Sequence, residues 1–272
     1  MLEQIVPPEL IDAMHAAFLP LLDDVVSRDP GPVSVYTEET GDPHTGMGKM
    51  QQAGTGGAAD GGHRYTLTIP WVLPFTHRLL YENPVVLALL DRYWGATNFH
   101  ITNYHSNNPR PGAATQHWHR DTNIASDAGV PFHSLDTCPC LGVKFPLVDT
   151  SEQNGSIEVL PCTQYLADPR LEGHYDAILS RGDFRPRRLN LRKGDCWIQD
   201  IRTLHRGTAN MSSSVRPEVV INYTRDWWSI GNRITGANRV PSMTHEDFEA
   251  LQLSERGLQL LGWLARPLEP RL

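Results

Sequence analysis

The chain has 272 residues, too many for a disulfide-stapled mini-protein and few for two full domains, so one large domain with room for a pocket is expected. A net charge of −7 and a pI near 5.9 argue against nucleic acid or an anionic membrane surface as the partner. Charged residues at 20% and hydrophobic ones at 40% exclude a disordered tail or a fibre, and the 22 Gly and 21 Pro favour many short strands and turns over a helix bundle.

Along the chain, Pro7-Pro8-Glu9 opens an amphipathic stretch to about Asp24, with Leu10, Ile11, Met14, Phe18, Leu21 and Leu22 at helical spacing. MLEQIVPPEL carries neither a basic region nor an apolar signal core. Gly41 to Gly62 holds eight Gly in 22 residues without apolar periodicity and reads as a loop, long enough to act as a lid. His63 to Pro70 alternates as a strand. Asn83 is placed to cap a helix, with Pro84 at its first position and Gly95 after its end. Its apolar run, Val85 to Leu90, is six residues, far short of the ~18 of a membrane span.

From Asn98 the texture changes to short strands: FHITNYHS, CLGVKFPLV, SIEVLPC, RRLNL, DCWIQD and EVVINYTRDW, each bounded by Gly, Pro, Asn or Asp. Glu152-Gln-Asn-Gly155 marks a tight turn. Thr244 with Asp247 resembles a capping box for a last helix through about Ala265. Helices followed by a run of strands predict a helix-supported β-sandwich or barrel. Four Cys do not make a secreted disulfide framework, so reduced thiols in a cytoplasmic protein are expected. A zinc half-site at Cys138-Pro-Cys140 would need two further soft ligands.

The densest chemistry lies in Gln116-His-Trp-His-Arg-Asp121. On an extended segment His119 and Asp121, two apart, share a face and can reach one metal. His205, just after DCWIQD, is the best third ligand, while His117 is set aside as facing away. Two His and one carboxylate on one face leave open positions, as in non-haem Fe(II) oxygenases. Arg216, eleven residues after His205, is rooted where a strand begins and can clamp a distal carboxylate bidentately.

These segments resemble the phytanoyl-CoA dioxygenase-like family of Fe(II)/2-oxoglutarate oxygenases. Trp118-His-Arg-Asp121 is similar to the family's W-H-x-D. Asn154-Gly-Ser-Ile-Glu-Val-Leu-Pro161 is similar to N-G-x-[IL]-x-[VIF]-[IL]-P. His205-Arg-Gly-Thr-Ala-Asn210 with Arg216 is similar to H-x-[SA]-G-x-N-x-S-x-x-x-R. The resemblance covers roughly residues 98 to 226. There are departures: the D-G-[YF] strand that usually opens these proteins is absent, and Pro161-Cys-Thr-Gln164 replaces P-G-S-H.

The resemblance implies a mainly β fold, a double-stranded β-helix (jelly-roll or cupin-like barrel) with supporting N-terminal and C-terminal helices. The chain would be a single domain over 1–272, with the core barrel at about 98–226, helical and loop support at 1–97 and a C-terminal helix at about 244–265. It also implies Fe(II) on His119, Asp121 and His205, with 2-oxoglutarate and O2 as cosubstrates. Arg216 would bind the far carboxylate of 2-oxoglutarate, with Lys144, Gln116 and Thr208 as candidate helpers. Asp121 stands where halogenating relatives carry a small residue, so hydroxylation is implied, or epimerisation, cyclisation or desaturation at the same iron. The substrate it implies is a small molecule in secondary-metabolite tailoring. Its pocket would draw on His63, Arg64, Tyr65, Trp71, Asn103, His105, Trp118 and Trp227. Two other readings keep the three ligands: a cupin-like Zn or Ni hydrolase or isomerase, and a non-enzymatic metal-dependent ligand-binding barrel. Oligomeric state leaves no mark in the sequence.

Overall fold

The computed structural model describes residues 1–28, 51–52, 63–121, 138–166, 175–228 and 245–265. In chain order the elements are α1 (Pro8–Arg28), β1 (Gln51–Gln52), β2 (Arg64–Thr68), α2 (Arg78–Tyr81), α3 (Pro84–Trp94), β3 (Phe99–Pro109) and β4 (Cys140–Pro146). They continue with β5 (Ile157–Val159), α4 (Tyr175–Ser180), β6 (Arg187–Leu189), β7 (Trp197–Asp200), β8 (His205–Gly207), β9 (Glu218–Arg225), α5 (His245–Ala250) and α6 (Glu255–Leu261). The expected strands all form. The stretch read as a loop from Gly41 to Gly62 lies outside the described residues, except Gln51–Gln52, which pair with β2 as a short strand.

The strands make two antiparallel sheets, one ordered β1-β2-β3-β9-β4-β7 and one ordered β6-β5-β8. The protein is thus sheet-rich with supporting helices. The two faces of the larger sheet differ in chemistry because side chains alternate along each strand. Tyr65, Leu67, Tyr104, Leu141, Val143, Phe145, Val219, Ile221 and Tyr223 join one apolar cluster with Ile11, Met14, Phe18 and Leu22 of α1, Val86, Leu87 and Leu90 of α3, and Leu260 and Leu261 of α6. Each such side chain contributes about 1.5–3 kcal/mol by leaving water. The alternate residues Thr66, Asn103, His105, Lys144, Asn222 and Thr224 line a cavity on the other face. A register shift between Ile101 and Asn103 inserts Thr102. That bulge lets Ile101 and Tyr104, three apart, both reach the apolar cluster.

Helix α3 is set by its ends, as the sequence predicts. The Asn83 side chain accepts from the Val85 and Val86 amides, and Gly95 closes the helix at φ 63°. The expected single helix over 244–265 is instead two. After α5, Gln252 takes a left-handed φ of 44°, and Ser254 Oγ accepts from the Gly257 amide at 2.9 Å to start α6. A fresh N-cap in mid-segment restarts the helix, and this turns Leu260 and Leu261 into the core. The Thr244 half of the expected capping box lies outside the described residues. Among the described residues, no helix is long and apolar enough to cross a membrane.

Candidate metal centre

His119 and His205 are joined as an isolated antiparallel bridge: the His119 amide donates to the His205 carbonyl at 3.1 Å, and the reverse bond is 3.0 Å. The Asp121 amide donates to the Ile201 carbonyl at 3.0 Å. Three backbone bonds therefore pin two remote segments so that their side chains converge. One ligand atom each from His119, Asp121 and His205 lies within 4.8 Å of the others, and among the described residues this is the cluster of three that could hold a metal ion. The imidazoles stand 4.5 Å apart, and His205 Nε2 is 3.4 Å from Asp121 Oδ1.

The imidazoles share one device. His119 Nδ1 lies 3.0 Å from the His117 carbonyl and His205 Nδ1 3.0 Å from the Thr203 carbonyl, each two residues back. A ring that gives its Nδ1 proton to a carbonyl presents the lone pair of Nε2 outward, the usual preparation of a histidine ligand. Burial, with His205 beside it, pushes His119 down to about 4, so its ring is neutral at ordinary pH and free to ligate. Burial pushes the Asp121 carboxyl up, but His205, Lys144 and His119 together outweigh it and hold the group below its usual range. A charged carboxylate beside two imidazoles suits a divalent cation. His117 is exposed and contributes its carbonyl, not its ring.

The three ligands open onto a cavity of about 440 Å³, walled by both sheets. Arg216 lines it while almost fully buried, at 1% exposure. Among the described residues its Nε and Nη1 have no hydrogen-bond partner, and the nearest carboxylate, Glu218, is 3.9 Å away. Burial lowers its affinity for the proton more than Glu218 restores it. An anion in the cavity would satisfy this guanidinium. The motif residues around it are scaffolding. Buried Asn210 donates to the Pro109 and Ser214 carbonyls at 2.9 Å each, tying the end of β3 to the loop that carries Arg216. A Cβ on Gly155, at φ +83°, would sit 2.8 Å from the Thr208 carbonyl, so the Asn-Gly turn packs directly on the chain leaving β8. At Gly207 a Cβ would meet Arg64 Nη1 at 2.5 Å and Gln116 Oε1 at 2.7 Å.

The other expected residues divide. Arg64, Asn103, His105, Gln116 and Lys144 line the cavity, as does Trp228. Gln116 Oε1 accepts from the Gly207 amide at 2.9 Å, and Lys144 Nζ donates to Gln199 Oε1 at 2.5 Å. Thr208 is not a lining residue, because its hydroxyl turns to the Ser156 carbonyl at 2.8 Å. Tyr65 and Trp71 join the apolar cluster that the helices cover, Trp71 tilted against Tyr104 with ring centres 5.2 Å apart. Trp118 is buried in a small core with Leu160, Ile178 and Leu204 under the Arg206 guanidinium. His63 packs near Gly112, outside the lining. Trp227 is exposed, and its neighbour Trp228 takes the lining position.

Gln199, Asn107, Asn222, Thr224 and Arg120 were not foreseen. The polar alternation of Asn222 and Thr224 in EVVINYTRDW was a legible signal; nothing in the sequence singled out Gln199. Cys138, Cys140 and Cys196 are buried free thiols, and burial pushes the latter two up to about 12. Among the described residues they belong to no cluster of three side chains that could hold a metal ion.

The family model described as phytanoyl-CoA dioxygenase matches residues 1–217. Solved structures with similar folds include the non-haem α-ketoglutarate-dependent epimerase SnoN from nogalamycin biosynthesis, at 15% identity over 82% of this chain and 76% of that one, TM-score 0.53. The carbocyclase SnoK from the same biosynthesis is 16% identical over 82% and 78%, TM-score 0.52. HygX from Streptomyces hygroscopicus, solved with nickel and 2-oxoglutarate, is 11% identical over 83% and 82%, TM-score 0.52.

Proposed function

This chain belongs to the phytanoyl-CoA dioxygenase family and is an Fe(II)- and 2-oxoglutarate-dependent enzyme, and from that premise we propose that it oxidises an unactivated C–H bond of a small polar molecule. His119, Asp121 and His205 hold the iron. Arg216 holds the far carboxylate of 2-oxoglutarate. Lys144 and Gln116 are weaker anchors, since each already has a protein partner. The iron, when bound, couples decarboxylation of 2-oxoglutarate by O2 to oxidation of the substrate; in a hydroxylation the products are succinate, CO2 and the alcohol. The chain's own residues bind and orient. The two Nδ1–H bonds aim the imidazoles, and the walls of the cavity keep the reacting groups together.

The observation that carries this reading is Arg216, buried on the cavity wall with two nitrogens unmet. A Zn or Ni hydrolase, or a metal-dependent binding barrel, would need such a group only if its own ligand were an anion. The cavity lining is amide- and hydroxyl-rich: Thr102, Asn103, Asn107, Asn222 and Thr224 belong to it, and Asp121 is the one carboxylate among the described lining residues. That favours a neutral or anionic hydrogen-bonding substrate over an acyl chain or a polycation. We extend the reading to hydroxylation, with epimerisation, cyclisation and desaturation as outcomes of the same chemistry, in secondary-metabolite tailoring of the kind that SnoN and SnoK serve. We read the two sheets that wall the cavity as the halves of a double-stranded β-helix, the whole chain as one domain, and the free thiols as those of a cytoplasmic enzyme.

The test is direct. Anaerobic protein with Fe(II) and 2-oxoglutarate should develop a weak visible charge-transfer band, and admitting O2 should yield succinate. Protein that shows neither, at saturating Fe(II) and 2-oxoglutarate, refutes the reading.

A further inference from the structure

We propose that Gln199 and Lys144 form a positioning pair for the metal centre, Lys144 locking the Gln199 carboxamide so that its N–H faces Asp121 and His205. The inference rests on the ligand assignment above and concerns residues outside the recognised motifs.

Lys144 is on β4 and Gln199 on β7, neighbouring strands of the larger sheet. Both are buried, at 5% and 3% exposure. The Lys144 ammonium donates to Gln199 Oε1 at 2.5 Å and sits 4.4 Å from the centre of the Trp197 ring. A carboxamide can face either way, and its partners decide which. An ammonium has donors only, so it accepts one orientation alone: oxygen towards Lys144. Nε2 is thereby turned to the opposite side. There it lies 2.9 Å from His205 Nδ1 and 3.4 Å from His205 Nε2, and 3.5 Å from Asp121 Oδ2.

Those acceptors are not equivalent. His205 Nδ1 is also 3.0 Å from the Thr203 carbonyl. One ring nitrogen cannot donate to Thr203 and accept from Gln199 at once. In the tautomer that ligates through Nε2, the Nδ1 proton goes to Thr203 and the Nε2 lone pair to the metal, so the Gln199 N–H is left to Asp121 Oδ2. Holding Oδ2 keeps Oδ1, the oxygen 3.4 Å from His205 Nε2, turned to the ligand cluster. Gln199 also separates Lys144 from Asp121. Without its carbonyl, a buried ammonium would seek the carboxylate directly and compete with the metal for it. Pairing and insulation both need the Lys144-to-Gln199 order of donor and acceptor.

Co(II) titration of the full chain under nitrogen, read by its visible d–d bands, tests this without turnover. Wild type should bind one Co(II). Gln199→Leu, which removes both polar ends, and Gln199→Glu, which keeps a partner for Lys144 but has no N–H, should each weaken Co(II) binding about 10- to 100-fold, the range for groups that orient metal ligands. Both should shift the bands. Lys144→Met should weaken it at least several-fold by freeing the amide to turn over, and Lys144→Arg, also donor-only, should restore wild-type bands. Melting curves of the metal-free variants establish that each is folded. If folded Gln199→Glu and Lys144→Met bind Co(II) with wild-type affinity and bands, while His205→Ala does not bind, the positioning pair is refuted and the ligand assignment stands. Loss in the Gln199 variants but not in Lys144→Met refutes the lock. If wild type binds no Co(II), or His205→Ala binds as wild type does, the assignment falls and the pair with it.

Discussion

Replacing Arg216 with Met removes the guanidinium and keeps most of the stem. The charge stands 3.9 Å from Glu218, an attraction of about 4 kcal/mol at an effective dielectric near 20. Burial still outweighs it, and Arg188 adds like-charge repulsion. Nε and Nη1 wait without partners. A carboxylate arriving there gains two charge-assisted hydrogen bonds of about 1.5–3 kcal/mol each. Losing them costs about 3 kcal/mol or more, roughly a factor of 100 in 2-oxoglutarate affinity. Calorimetric titration of 2-oxoglutarate into the anaerobic metal-loaded protein reads this directly, and KM for 2-oxoglutarate in succinate formation should rise in step. Metal affinity should stay unchanged, because Arg216 is outside the ligand cluster. A variant that binds 2-oxoglutarate within threefold of wild type would falsify the reasoning about the buried guanidinium.

Asp121→Ala and His205→Ala should abolish tight Co(II) binding and succinate formation together; turnover retained in either, measured by succinate release, counts against the assignment. Wild type should melt higher with Co(II), by about 4 kcal/mol of added stability at a thousandfold excess over Kd, and a chelator should reverse the shift, whereas His205→Ala should show no shift. Gly155→Ala forces a Cβ to 2.8 Å from the Thr208 carbonyl at φ +83°, so a loss of about 1–3 kcal/mol is expected in urea denaturation, and an unchanged midpoint would show that the turn relaxes freely. Asn83→Ala removes the acceptor for two amides of α3 and should cost roughly 1–2 kcal/mol, seen as a melting temperature lower by several degrees.

Local signals were read well where chemistry repeats at short range. Asn83, Pro84 and Gly95 bounded a helix that formed between those marks. His119 and Asp121, two apart, did come together with His205. The aromatic residues were harder. Tyr65, Trp71 and Trp118 carried the expectation of a pocket, and all three are buried in apolar clusters. A large ring stabilises either place, and only the facing layer decides. The capping box at Thr244 and Asp247 marks where a last helix starts but nothing about its interior, where a cap at Ser254 and a left-handed Gln252 divide it.

Taken alone, the sequence determined the strand-rich texture, the His119–Asp121 pair and the arginine eleven residues after His205, because these depend on alternation, turn residues and spacing that one segment carries within itself. The tertiary structure decided which face of each strand meets helices and which meets the cavity. It left two buried nitrogens of Arg216 without a hydrogen-bond partner among the described residues, and it placed Gln199 between Lys144 and the candidate ligands. Those outcomes come from segments far apart in the chain. A side chain's hydrogen-bond partners and its burial are properties of its surroundings, and no local pattern encodes them.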